Sequence, residues 1–334
     1  MSLSKILSFS LLLAIAFTLY GVNENAGTTG FNNLKIVYSA RAVGMASAMT
    51  GINETPEGLQ FNPAAILNAS DKTITSTYCN YVVDSNAGAL HAIYQYDEKT
   101  AFGILLHYLD LGEMDKTEVT THNEYLETGE TFGASDLIIG ASAAKNINPM
   151  IDLGVTLKYI TDNIDSYSAS ALVLDAGLIH HPANEKIKVG VSLRNLGKQI
   201  TYYTSENYNE KLPFTFAAGL SYKLTPNLLA AFDLSKPTGA NVGIKVGMEA
   251  KVHPMFTLRA GYNSYAPDWK TGGDWEWSSG LTCGAGFNWK NIQLDYGLSS
   301  YGNLGFVNQV TLAYNFLNFL DRVSTRFLLL MKVR

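Results

Sequence analysis

From about residue 72 the chain alternates apolar and polar positions with a period of two. Leu153, Val155, Leu157 and Tyr159 are interleaved with Asp152, Gly154, Thr156 and Lys158. Ile292, Leu294, Tyr296 and Leu298 alternate with Gln293, Asp295, Gly297 and Ser299, and Val310, Leu312, Tyr314 and Phe316 with Gln309, Thr311, Ala313 and Asn315. Between Val242 and Val252 the second face is Gly243, Lys245, Gly247, Glu249 and Lys251. Successive side chains of a strand point to opposite faces, so each stretch predicts a strand with one apolar face and one polar or small face. Fourteen segments are predicted: 73–83, 88–97, 100–110, 133–147, 150–161, 167–180, 186–195, 213–224, 227–235, 241–252, 255–264, 278–289, 291–300 and 307–316.

The connections sort by parity. Those after even-numbered segments are short, and five carry Pro or Asn, at Asn148–Pro149, Pro182–Ala183–Asn184, Pro226–Asn227, His253–Pro254 and Asn291. The long ones, 111–132, 196–212 and 265–277, follow odd-numbered segments. In an up-and-down sheet parity is the same thing as side, and short turns at one end with long loops at the other is the outer-membrane pattern. The expected fold is all-β, a transmembrane antiparallel up-and-down β-barrel of 14 strands over residues 72–316, with both ends of the sheet on the short-turn, periplasmic side. A soluble β-sandwich would give the same alternation. The strand number, the loop parity and aromatics near strand ends (Tyr94, Tyr96, Tyr108, Tyr159, Tyr222, Tyr262, Phe287, Trp289, Tyr296, Tyr314) oppose it.

Composition agrees. Only 16% of the 334 residues are charged, against about 25% in an average soluble domain, while 19 Tyr, 15 Phe and 29 Gly are present. With 24 Lys and Arg against 29 Asp and Glu the net charge is −5, which excludes the basic stripe of a nucleic-acid binder. Residues 1–21, with Lys5 before the apolar Ile6–Tyr20, predict a secretory signal peptide. After Tyr20 no apolar run reaches the roughly 18 residues of a helical span. The expected location is therefore the outer membrane of a Gram-negative-type bacterium, with lipid as the first partner. Cys79 and Cys283 are 204 positions apart in sequence and are expected as small apolar residues on strand faces. No His or Cys spacing suits a metal, no cofactor motif is present, and no Ser, His and acidic set has a catalytic spacing. His180–His181 are expected as solvated turn residues. A non-enzymatic protein is expected.

Polar-face charges include Asp152, Lys158, Arg194, Asp233, Lys245, Glu249, Arg259 and Asp295. Facing lipid, a Lys or Arg would cost about 2–4 kcal/mol near the midplane, so they are expected in the lumen, there either pairing structurally or selecting solutes. Residues 22–71 lack the alternation and are expected to enter the lumen from a periplasmic N-terminus as a hatch or plug. Residues 317–334, with the apolar Phe327–Met331, form a tail of no assigned role.

Leu34–Lys35–Ile36, Ala40–Arg41–Ala42–Val43–Gly44–Met45 and Asn62–Pro63–Ala64 resemble the N-terminal signature of the PorV/PorQ family, part of the wider FadL-like group of 14-stranded outer-membrane barrels. Ser192–Leu193–Arg194–Asn195–Leu196–Gly197, Leu212–Pro213, Leu258–Arg259–Ala260–Gly261–Tyr262 and Leu294–Asp295–Tyr296–Gly297 extend the likeness to residues 26–316. Where family members commonly have a second Gly after the Gly-Met pair, Ala46–Ser47 stand here. The resemblance implies assistance in type IX secretion or surface attachment, with secreted cargo or other secretion components as partners. The long loops, and Trp269, Trp275 and Trp277 in the last of them, would be the contact surface. FadL-like relatives instead imply a channel for hydrophobic small molecules with a lateral opening gated by the hatch. On this chain Arg41, Gly44, Met45, Asn62 and Pro63 would belong to that hatch, with Arg41 and Asn62 as polar anchors. The channel alternative predicts an apolar pocket between hatch and wall, lined by residues such as Leu105, Leu109 and Ile138.

Overall fold

The computed structural model describes residues 24–82, 85–120, 124–205, 208–265 and 273–316. The expected signal peptide, the 317–334 tail and Trp269 lie outside them. Fourteen strands follow in order: β1 (Lys72–Asn80), β2 (Asn86–Asp97), β3 (Thr100–Val119), β4 (Tyr125–Asn148), β5 (Ile151–Ile164), β6 (Tyr167–His180), β7 (Ile187–Thr201), β8 (Thr215–Thr225), β9 (Leu228–Pro237), β10 (Gly243–His253), β11 (Phe256–Asn263), β12 (Leu281–Trp289), β13 (Ile292–Ser300) and β14 (Phe306–Asn315). Each pairs antiparallel with its sequence neighbours, and β1 pairs with β14 from Thr73–Asn315 to Asn80–Asn308, closing the barrel. Closure leaves no unpaired edge.

The alternation read from the sequence is the alternation of the wall. Ile74, Ile104, Leu153, Val155, Leu157, Leu294 and Leu312 are exposed on the outside, whereas Thr75, Thr77, Asp152, Thr156, Lys158 and Thr311 are buried inside. A continuous apolar belt on the outside of a closed barrel is the surface of a transmembrane barrel. Aromatic rings gather at the short-turn rim, where Tyr96 meets Phe102, Phe256 meets Phe287, and Tyr314 meets Phe316 at centroid distances of 6.1, 5.3 and 4.7 Å.

Two predicted loops are strand instead. β3 and β4 continue as a paired ribbon through the stretch expected as loop 111–132, beyond the last β2 partner at Asp110 and the last β5 partner at Ala134. Both faces of this ribbon meet water, so Glu113, Asp115, Glu118, Glu127 and Glu130 occupy it and no apolar face betrays the strand. β7 likewise runs on to Thr201, into the predicted loop 196–212.

Candidate functional site

Within the wall lies the chain that precedes it. A 3₁₀ turn at Asn32–Lys35 leads to a short helix α1 (Ala40–Gly44), then α2 (Gly58–Phe61) and a second 3₁₀ turn at Pro63–Ile66. Ser39 caps α1 by accepting from Ala42 N–H, and Asn62 caps the last turn, whose first residue is Pro63. The segment begins at the opposite end from the one expected: Thr29 bridges Lys211 in the long loop after β7, and Gly30 N–H donates to Lys211 O at 3.1 Å. From that mouth the chain crosses the lumen and reaches the short-turn end before β1, because β1 must start there.

Its path is set by glycines of the wall. Gly284 and Gly297, Gly247 and Gly261, Gly190 and Gly219, and Gly154 and Gly177 are four directly facing cross-strand pairs. A Cβ on Gly297 would meet Ala40, one on Gly284 would meet Gly44, and Gly247 and Gly261 lie under Met45 and Ala46. Gly190 and Gly219 lie under Thr50 and Gly51, and Gly177 and Gly154 under Asn62, Pro63 and Ala64. The backbone of 40–64 is thus laid directly on the wall and winds from β13 round to β5. Ala46 and Ser47 adopt left-handed φ of 51° and 63°, a conformation that costs a non-glycine residue roughly 1–2 kcal/mol.

Four predicted polar residues meet at one point. Arg41 gives its Nε to Glu249 Oε2 at 2.8 Å and Nη2 to Oε1 at 3.1 Å, and its Nη1 to Thr55 Oγ1 at 2.8 Å and Glu57 Oε2 at 3.4 Å. Arg259 donates to Glu249 and to Asp295, each at 2.7 Å. Ser39 donates to Glu57 at 2.9 Å, and Thr55 also donates to it. Burial alone would raise the Glu57 pKa, but Arg41 and the Thr55 and Ser39 hydroxyls outweigh it and hold this carboxyl below its usual value. Asn62 Nδ2 donates to Thr50 O at 2.8 Å and Leu178 O at 3.1 Å, tying two turns of the hatch to β6.

The other predicted charges are spread over the lumen. Asp152 pairs with His181 at 2.6 Å, so this histidine is not simply solvated. Lys158 binds Asp175 at 2.8 Å and Asn195 Oδ1 at 2.6 Å. Asp233 accepts from Thr50 N–H at 2.9 Å. Arg194 stacks over Phe61 and Lys245 over Tyr265, with cation-to-centroid distances of 5.5 and 5.9 Å. Neither has a carboxylate within 4 Å among the described residues. Glu57 and Asp175 were missed: Glu57 lies in a segment without periodicity, whereas Asp175 occupies an alternate position of its strand and was visible. Trp275 and Trp277 are exposed and stacked at 6.4 Å on the long-loop rim. Cys79 and Cys283 are free thiols, one inside and one outside the wall.

The hatch divides the lumen in two. A cavity of about 390 Å³ lies on the long-loop side, between hatch residues such as Leu34, Val37, Val43 and Phe61 and the wall from β7 to β14. Its charged lining is Lys35, Arg194 and Lys245, with no carboxylate. A second cavity of about 230 Å³, touching Arg41, Ile52 and Glu249, lies on the short-turn side. Leu105, Leu109 and Ile138 face inward as expected, but they pack on Leu59, Ile66, Ile36 and Tyr38 of the hatch instead of lining the larger cavity. On β7, Arg194 and Asn195 bulge opposite Asp175 (Asn195 φ 60°). Pairing of β7 with β8 stops at Arg194–Thr215, and Phe31 of the hatch and Leu212 are buried in the cluster beside it.

No family model matches the chain, and no curated protein sequence does. Solved structures do. The Pseudomonas putida toluene transporter TodX superposes with a TM-score of 0.62 at 12% identity, over 84% of this chain and 98% of its own. The CymD monoaromatic hydrocarbon channel gives 0.58 at 14% identity over 85% and 98%, and a Pseudomonas aeruginosa FadL homologue 0.54 at 12% over 84% and 98%. The barrel has the FadL-type fold. At these identities the likeness is one of architecture. The FadL-type comparison gives no support to the PorV/PorQ assignment or to the secretion role it implied.

Proposed function

We propose that the protein is an outer-membrane channel for small hydrophobic molecules that carry an acidic group, gated by the segment 24–71. The carrying observation is the long-loop cavity: a lining that mixes apolar and aromatic residues (Leu34, Val37, Val43, Phe61) with uncharged polar ones (Asn32, Gln60), three cations, no lining carboxylate, and none of the three cations in an ion pair among the described residues. Small-molecule sites combine apolar surface with a few convergent polar groups. Here the charged groups are of one sign, so an anionic head with an apolar body is the complementary ligand. Pairing of β7 with β8 ends at Arg194 and Thr215, both of which line the cavity, and the proposed lateral exit for the cargo lies there. The toluene and monoaromatic hydrocarbon channels that share the fold support a hydrophobic cargo.

Binding of a fluorescent arylalkyl carboxylate to the purified barrel tests this. A charge-assisted contact of about 1.5–3 kcal/mol corresponds to a loss of roughly tenfold or more in Lys245→Met and Arg194→Met. The matching alcohol should bind more weakly and respond less. Equal affinity of wild type and both variants for the carboxylate would overturn the assignment.

A further inference from the structure

The hatch helix α2 stands between two spaces that otherwise run together. On one side Phe61 lines the 390 Å³ cavity, with Arg194 stacked over its ring. On the other, Leu59 is fully buried against the wall. A cavity of about 20 Å³ lies beside Leu59, little more than the room one water molecule needs. Its apolar side is Leu34, Leu59, Leu105 and Ile138, and its polar side includes His107 and Lys158. Leu34, Gln60, Arg194 and Asn195 line both cavities, so the smaller is a continuation of the larger. Leu59 is seated in a notch of the wall. Gly103 of β3 is on the buried face with Leu105, and a Cβ on this glycine would lie 2.5 Å from Leu59 Cδ2. Leu59, Leu105 and Ile138 belong to one buried apolar cluster.

The notch is therefore an apolar slot, floored by a glycine, that adjoins the cargo cavity and is filled by one aliphatic side chain of the hatch. An aliphatic side chain there occupies the volume that the end of an aliphatic ligand would take. We propose that Leu59 sets the longest apolar tail the channel accepts, by standing in the notch where the end of a longer tail would go. The inference rests on the long-loop cavity being the cargo site, and it narrows the cargo. A slot the width of one glycine suits a straight alkyl chain better than a ring system, so the matching ligand is an acid with an unbranched tail. Truncating a buried leucine leaves an apolar cavity, and such cavities admit apolar ligands. Shortening Leu59 should therefore lengthen the tail that fits.

The test titrates the full barrel in detergent by calorimetry with straight-chain carboxylates from butanoate to dodecanoate and with the matching alcohols. Wild-type affinity should rise about fourfold per added carbon, from about 0.8 kcal/mol per buried methylene, and then level off. Leu59→Ala, which removes three carbons, should move the levelling point to longer acids. An acid two carbons past the wild-type limit should gain at least tenfold, while shorter acids bind as before. Leu59→Val, which removes one carbon and disturbs the hatch less, should move it by about one. Arg41→Ala loosens the hatch without emptying the notch and should leave the levelling point in place. Heat-modifiable mobility on a gel checks that each variant retains the closed barrel. An unmoved levelling point in both Leu59 variants, or the same lengthening in Arg41→Ala, would overturn the role of Leu59. Acids and alcohols that lengthen together with equal affinities would support that role and strike the acidic head from the proposed function. Absence of binding at every length would strike both.

Discussion

Arg41 engages two carboxylates from different parts of the molecule, Glu57 in the hatch and Glu249 on β10, and in doing so fastens one to the other. Arg41→Ala leaves Glu57 buried without a cation and Glu249 with Arg259 alone. Breaking a buried pair from one side costs about 3–5 kcal/mol, and here the loss falls on the hatch, because barrel closure rests on backbone pairing that Arg41 does not touch. The variant should remain a heat-modifiable barrel yet show raised conductance in planar bilayers and chymotrypsin cleavage within 40–66, at Leu59 or Phe61. Wild-type conductance in Arg41→Ala would remove Arg41 from the role of fastener. Arg41 and Glu249 are each visible in the sequence as charges, but nothing there joins them, since they are 208 positions apart and a pairing across the lumen leaves no periodic trace.

At the scale of elements, strands β1–β14 were legible because one face of each meets lipid and the other does not. The exceptions follow the same physics: where β3 and β4 leave the membrane, both faces become polar and the strand reads as a loop. The hatch was legible only as an absence of alternation. Its course depends on wall glycines whose sequence neighbours say nothing about what lies on them. Those glycines make the contact testable. A Cβ on Gly219 would sit 2.8 Å from Gly51 N, so Gly219→Val should dislodge the hatch while valine, a good strand former, preserves β8. Gly88, whose added Cβ would meet nothing nearer than 3.5 Å, supplies the control. Gly219→Val should raise conductance and protease sensitivity and Gly88→Val should not; identical behaviour of the two would contradict the seating.

For the molecule as a whole, the two cavities are separated by a hatch held partly through carboxylates, and this makes closure acid-sensitive. Glu57 has a depressed pKa in the folded protein, against about 4.3 for an unperturbed Glu. A depressed carboxyl contributes stability that is complete above the unperturbed value and is lost as pH falls through the folded one. Conductance should therefore stay low from neutral pH down to about pH 5 and rise below about pH 4. A profile flat to pH 3 would show that these carboxylates do not hold the lumen shut. The glycine track has a further consequence, for biogenesis. It runs from β13 to β5 on the inner surface, and the segment lying on it precedes β1 in the chain. A finished barrel offers that segment only its two mouths, whereas an open sheet offers the entire track. Residues 40–64 can reach the whole track before the β1–β14 seam joins, so seating of the segment and closure of the wall are coupled steps of one assembly.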